Sequence, residues 1–196
     1  MIKIIELISV AIILIILIIP MIVISILIKF DSNGPILHWS DRVGQNSKIF
    51  KMPKFRTMSK NTPDLPTHLF KTPDKFVTKI GKFLRKYSLD EIPQLFSILN
   101  GKMTFIGPRP ALHNQSDLIE LRIKLKIDQL KPGLTGWAQV KGRDNISIQK
   151  KVDYDLYYLR NKSIGLNIQI IFKTFIVVIL KKNISHRYNM KKKIYK

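Results

Sequence analysis

Leu7-Ile8-Ser9-Val10-Ala11-Ile12-Ile13-Leu14-Ile15-Ile16-Leu17-Ile18-Ile19-Pro20-Met21-Ile22-Val23-Ile24-Ser25-Ile26-Leu27-Ile28 is a run of 22 residues without a charge, and its reading decides the architecture. At 1.5 Å per residue a helix of this length reaches about 33 Å, enough to cross the hydrocarbon core of a bilayer. A secretory signal peptide has a shorter apolar core, roughly 7–15 residues, that ends in small residues at a cleavage site. No such site follows Ile28, so residues 1–30 are expected to stay as a membrane anchor. Pro20 lacks a backbone N–H and clashes with the carbonyl four residues back. The segment is therefore expected to be either a kinked span or a helix-break-helix hairpin that enters and leaves one leaflet.

Beyond the anchor, Asp31-Ser32-Asn33-Gly34-Pro35 is a cluster of turn formers that ends the apolar helix. Lys29, Arg42, Lys48, Lys51, Lys54, Arg56 and Lys60 outnumber Asp31 and Asp41 in the following stretch. The positive-inside rule then places this side in the cytoplasm. The whole chain of 196 residues carries a formal charge of +21, which seeks an anionic partner: nucleic acid, lipid headgroups or a phosphorylated substrate. With no Cys, a disulfide scaffold, a thiolate nucleophile and a Cys-ligated zinc site are all excluded.

The remainder reads as one small α-rich domain of the α+β class, residues 31–180, followed by a basic tail, residues 181–196. Short apolar–polar alternation at Ile49-Phe50 and Lys54-Phe55-Arg56-Thr57-Met58 suits brief strands. Phe76, Val77, Ile80, Phe83 and Leu84 recur at helical spacing, with Lys79, Lys82, Arg85 and Lys86 between them. That amphipathic helix has either a solvated basic face or one lying on anionic lipid. Further helices are expected over residues 115–130 and 153–161. Residues 164–180 are apolar but interrupted by Asn167, Gln169 and Lys173, which are costly at a bilayer centre, so an in-plane helix fits better than a second span. The tail has seven Lys or Arg and no acid, as a polybasic segment at an anionic surface would.

Three segments carry candidate chemistry. Asp90-Glu91 lies within Ser88-Leu89-Asp90-Glu91-Ile92-Pro93-Gln94, where Ser-x-x-Glu is also a capping box. On local sequence alone capping is the simpler reading; the chemical one is an ionised carboxylate that attacks an electrophile or holds a divalent metal. Gly107-Pro108-Arg109-Pro110 is a stiff turn that would present one guanidinium as a phosphate clamp. Lys131-Pro132-Gly133-Leu134-Thr135-Gly136-Trp137, with Gly142-Arg143 beyond it, is a glycine-rich basic loop whose N–H groups would approach a phosphate. It matches neither common nucleotide-binding glycine motif.

Together with Arg42-Val43-Gly44, these segments occur in an order that resembles the bacterial sugar transferase family, the small membrane-bound polyprenyl-phosphate phosphoglycosyl transferases. The resemblance covers about residues 1–180. It implies transfer of a phosphosugar from a UDP-sugar to undecaprenyl phosphate at the cytoplasmic face, with release of UMP. It further implies Asp90 as nucleophile through a covalent aspartyl-phosphosugar, Mg2+ as cofactor held at Asp90 and Glu91, and Lys54, Arg85, Arg109 and Arg143 as phosphate contacts. Membrane lipid and downstream glycosyltransferases are the implied partners, and nucleic acid is not, since the chain lacks interleaved aromatic platforms. The family's re-entrant hairpin is the preferred anchor topology. One departure is Ser163-Ile164-Gly165-Leu166-Asn167, where the family often has Asp at the last position. The missing charge motivates an alternative reading, a catalytically impaired membrane scaffold in a glycan assembly complex.

Overall fold

The computed structural model describes residues 2–60, 62, 76–142 and 146–179. Its long N-terminal helix, α1 (Ile2–Asp31), runs through Pro20 without interruption. Pro20 therefore lies inside one continuous helix, a form open to both a bent span and a re-entrant helix. Val10, Leu14, Leu17, Met21, Ile24 and Ile28 recur at spacings of four and three, and this stripe packs against the rest of the protein. A spacing that alternates between four and three is that of one helical face, and it passes straight across Pro20.

Polar contacts fix both ends of α1. Glu6 near its start accepts hydrogen bonds from the Phe105 N–H at 2.7 Å and from the Thr104 hydroxyl. Asp31 at its end accepts from the Ile80 N–H at 2.9 Å, and the buried Arg56 guanidinium donates to the Ser32 and Asn33 carbonyls at 2.6 and 3.0 Å. The helix is therefore a flank of the domain rather than a stalk beneath it. Its opposite face, including Ile15, Ile16, Ile19 and Phe30, is exposed. It is the one helix among the described residues long and apolar enough to cross a membrane.

The fold is α+β, as expected. Strands β1 (Leu37–Val43) and β2 (Ile49–Phe55) form an antiparallel hairpin with Leu37 opposite Phe55 and Val43 opposite Ile49. The short β4 (Ala111–Leu112) adds to the other side of β1, giving the order β2-β1-β4. Pro53 sits on the edge strand, the place in a sheet where a missing N–H is tolerated. Phe50 and Met52 face α1 and α3 (Leu95–Leu99), and the two-residue period brings Lys54 to the same side. A second sheet pairs β3 (Thr104–Ile106) in parallel with β5 (Gly133–Thr135).

The remaining helices are α2 (Lys79–Tyr87), α4 (Ser116–Lys124), α5 (Trp137–Lys141), α6 (Ile148–Asn161) and α7 (Ile164–Ile179). Thr78 caps α2 by accepting from the Gly81 N–H, while Leu84 is buried and Phe83 is exposed beside Tyr87. Gly81 is required because a side chain there would collide with the Thr57 backbone. At 16 residues α7 is about 24 Å long, short of a bilayer crossing. It buries Ile170 and exposes Ile164, Ile168, Phe172 and Phe175, as an in-plane helix would. The loop of residues 63–75 and the basic tail lie outside the described residues.

Candidate active site

Ser88 ends α2 in the left-handed conformation, φ 57°, and the chain turns there into a 3-10 helix, Leu89–Gln94. Pro93 fits within this short turn. The capping box does not form: the Glu91 N–H donates to the Ser88 carbonyl at 3.2 Å, and the Ser88 side chain caps nothing in the turn. A left-handed Ser88 directs its hydroxyl away from the register that Ser-x-x-Glu requires. The Glu91 carboxylate is thereby left for tertiary contacts.

Those contacts join three of the candidate residues. Glu91 Oε1 accepts from Lys54 Nζ at 3.1 Å and from Arg109 at 2.7 Å, while a second Arg109 nitrogen reaches Oε2 at 3.3 Å. The guanidinium fork matches the carboxylate in the way that makes Arg pairs directional. Asp90 and Glu91 are both about nine-tenths buried. Burial pulls the Lys54 ammonium below the ordinary lysine value of 10.5, an effect that Glu91 opposes and Arg109 reinforces.

The turn that carries Arg109 is held at successive peptide groups. The Gly107 N–H donates to the Thr135 carbonyl and the Gly133 N–H to the Pro108 carbonyl, each at 2.9 Å. Arg122 donates to the Arg109 carbonyl at 2.9 Å and Arg42 to the Pro110 carbonyl at 3.2 Å. Arg122 is itself held by the buried Asp155 at 2.6 Å. Burial raises the Asp155 carboxyl, against the pull of Arg122. These bonds also involve one N–H of the glycine-rich loop, residues 131–137. Its Gly133 N–H is spent on pairing with the Arg109 turn, and Gly133 and Gly136 are glycines because that turn's backbone leaves no room for a Cβ.

Arg85 donates to the Thr57 hydroxyl at 2.8 Å, just past β2. Arg143 lies outside the described residues. Asn167 Oδ1 lies 3.0 Å from the Tyr158 hydroxyl, whose other neighbour is the Ile106 carbonyl at 3.2 Å. Burial pushes Tyr158 up to about 12, so it stays protonated and donates its single proton between these two acceptors. An amide oxygen accepts that bond as a carboxylate would, so Asn167 keeps this contact without a charge.

Sequence reasoning missed Glu6, Arg122 and Asp155, which stand outside the motifs, and the structural task of Arg56. It also missed Gln94 and Gln139, whose buried amides retain unpartnered polar atoms among the described residues. Such orphans are uncommon in folded proteins. Among the described residues no three His, Asp or Glu converge as a metal cluster. Magnesium is commonly held by one or two carboxylates together with substrate phosphates, and here both Glu91 oxygens are engaged by Lys54 and Arg109.

The family model for bacterial sugar transferases matches residues 1–181. A UDP-N-acetylgalactosamine-undecaprenyl-phosphate N-acetylgalactosaminephosphotransferase of Aeromonas hydrophila is 36% identical over 159 residues, covering 79% of this chain and 38% of its own length. The Escherichia coli UDP-glucose:undecaprenyl-phosphate glucose-1-phosphate transferase is 39% identical over 163 residues, 77% of this chain and 34% of its own. The exopolysaccharide production protein ExoY of Sinorhizobium fredii is 36% identical over 169 residues and is covered over 74% of its length. The chain thus spans little more than a third of the two larger relatives and most of the smaller one. By the extent of these matches, the chain belongs to the bacterial sugar transferase family.

Proposed function

We propose that the protein transfers a phosphosugar from a UDP-sugar to undecaprenyl phosphate, the first membrane step of lipid-linked glycan assembly. The observation that carries this reading is the buried Asp90-Glu91 turn with Glu91 gripped by Lys54 and Arg109. A UDP-sugar contributes a diphosphate, and two cations already converging on one carboxylate are placed to receive it. Names of relatives supply the substrate classes: undecaprenyl phosphate with UDP-N-acetylgalactosamine or UDP-glucose, and a lipid carrier with UDP-galactose.

In the proposed chemistry an Asp90 oxygen attacks the β-phosphorus. The new oxygen–phosphorus bond forms as the bond to the α-phosphate oxygen breaks, and UMP departs with that electron pair. An oxygen of undecaprenyl phosphate then attacks the same phosphorus, restoring the Asp90 carboxylate and yielding the lipid-linked diphosphosugar. Glu91 keeps Lys54 and Arg109 in place until the diphosphate competes for them. Asp90 and Glu91 would hold Mg2+, which when bound neutralises charge on the diphosphate. Arg85 and Arg143 are the proposed further phosphate contacts. The exposed faces of α1 and α7 would rest in the cytoplasmic leaflet of the inner membrane, with downstream glycosyltransferases receiving the product.

The test is UMP release by membranes containing the protein, supplied with Mg2+, undecaprenyl phosphate and a panel of these three UDP-sugars. Release is expected with at least one sugar and is expected to vanish in Asp90→Asn. Full release by that variant, or none by the wild type with any sugar, contradicts the reading.

A further inference from the structure

A groove of about 700 Å3 runs along the exposed side of α1. One wall is α1 itself, through Leu14, Ile18 and Ile22; the other is Phe96 of α3 and Ile36 before β1. From Leu14 to Lys29 the helical rise gives the groove a length of about 22 Å. Its lining is apolar apart from Ser25, whose hydroxyl is spent on the Met21 carbonyl, and Lys29 at one end. The volume falls in the ordinary range for ligand sites, although nothing in the groove is suited to a sugar or a base.

The second wall is continuous in the chain with the candidate active site. Phe96 belongs to α3, which continues from the 3-10 turn bearing Asp90. The Ile36 carbonyl accepts from the Arg56 N–H, two residues beyond Lys54. An apolar trough with a single cation at one end complements a hydrocarbon chain that ends in an anion. We infer that this groove seats the isoprene units of the acceptor nearest its phosphate, with Lys29 facing the anionic end. The inference rests on the transfer reading and specifies where the second substrate lies. A seat beside α3 lets the lipid phosphate approach Asp90 without leaving the membrane.

Ile18→Trp and Ile22→Trp would each fill the groove from positions that are half exposed and take no part in the hydrophobic clusters. In nanodiscs containing phosphatidylglycerol, each is expected to raise the KM for undecaprenyl phosphate roughly tenfold, through loss of a few buried methylenes. The UMP burst from the UDP-sugar panel without acceptor, measured on the same preparations, reports whether the site is intact. A wild-type burst with unmoved KM in both variants overturns the groove assignment. Loss of the burst in the variants alone also overturns it, since the wall would then be structural. Absence of any burst in the wild type instead sinks the transfer reading. Binding is tested without turnover by p-benzoylphenylalanine in place of Ile22. It is expected to cross-link radiolabelled undecaprenyl phosphate in preference to phosphatidylglycerol. Cross-linking of phosphatidylglycerol that excess undecaprenyl phosphate fails to reduce overturns the assignment and makes the groove a seat for bulk lipid.

Discussion

Glu91 shows what local pattern can and cannot reveal. Its motif identified it as a site candidate, yet the same four letters spelled a capping box, and only the left-handed Ser88 separates the two. Lys54 and Arg109 lie 37 and 18 residues away in the chain, so their convergence on Glu91 is a product of the fold. Lys54 must be charged to hold a carboxylate or a phosphate, and burial lowers its pKa. As pH rises through that lowered value the charge is lost, so UMP release is expected to decline on the alkaline side below the ordinary lysine value of 10.5. Lys54→Arg keeps its charge and is expected to shift this limb to higher pH; an unmoved limb would remove Lys54 from the account. Farther out, Asp155→Ala leaves Arg122 as an uncompensated buried charge, a cost of roughly 3–5 kcal/mol that thermal unfolding in detergent reads directly. Arg122→Lys keeps the charge but lacks the fork that spans Asp155 and the Arg109 carbonyl. Its unfolding temperature is expected to drop less than that of Asp155→Ala, while kcat falls by roughly 10²-fold through a displaced Arg109. Unchanged kcat would show that the Arg109 turn needs no such hold.

At the scale of elements, α2 and α7 were legible because their polar residues interrupt an apolar pattern at helical spacing. For α1 the sequence was informative about existence and silent about placement. A helix apolar on every side shows no preferred face, so nothing distinguishes Val10 and Leu14, which pack on the domain, from Ile15 and Ile16, which do not. Strand β1 was equally hard to see, because His38-Trp39-Ser40-Asp41 lacks alternation and its pairing with β2 comes from the hairpin. The docked stripe has a direct consequence. Leu14→Ala removes a buried side chain and is expected to destabilise the protein by about 2–4 kcal/mol, whereas Ile15→Ala, at 68% exposure, should stay within about 0.5 kcal/mol. Thermal unfolding in one detergent compares them; equal effects would mean that α1 does not pack along the domain.

For the molecule as a whole, the α+β class and a membrane-active N-terminus followed from composition and pattern. The sharing of hydrophobic clusters between α1 and the domain did not, because long-range packing leaves no local signal. The charge of +21 also divides once the fold is known. Arg56, Arg122 and Arg42 hold backbone carbonyls in place, while Lys54 and Arg109 converge on Glu91. Part of a charge that suggested an external anion therefore serves internal architecture, and the cations beside Asp90 are the ones the proposed substrate would meet. The central claim is that Asp90 takes up the phosphosugar covalently, and intact-mass and peptide mass spectrometry test it most directly. Purified protein in detergent, given Mg2+ and each UDP-sugar without acceptor, is expected to gain the mass of one sugar phosphate on the peptide containing Asp90, matched by one UMP released and erased by undecaprenyl phosphate. UMP release with no adduct, or an adduct that persists in Asp90→Asn, would contradict it.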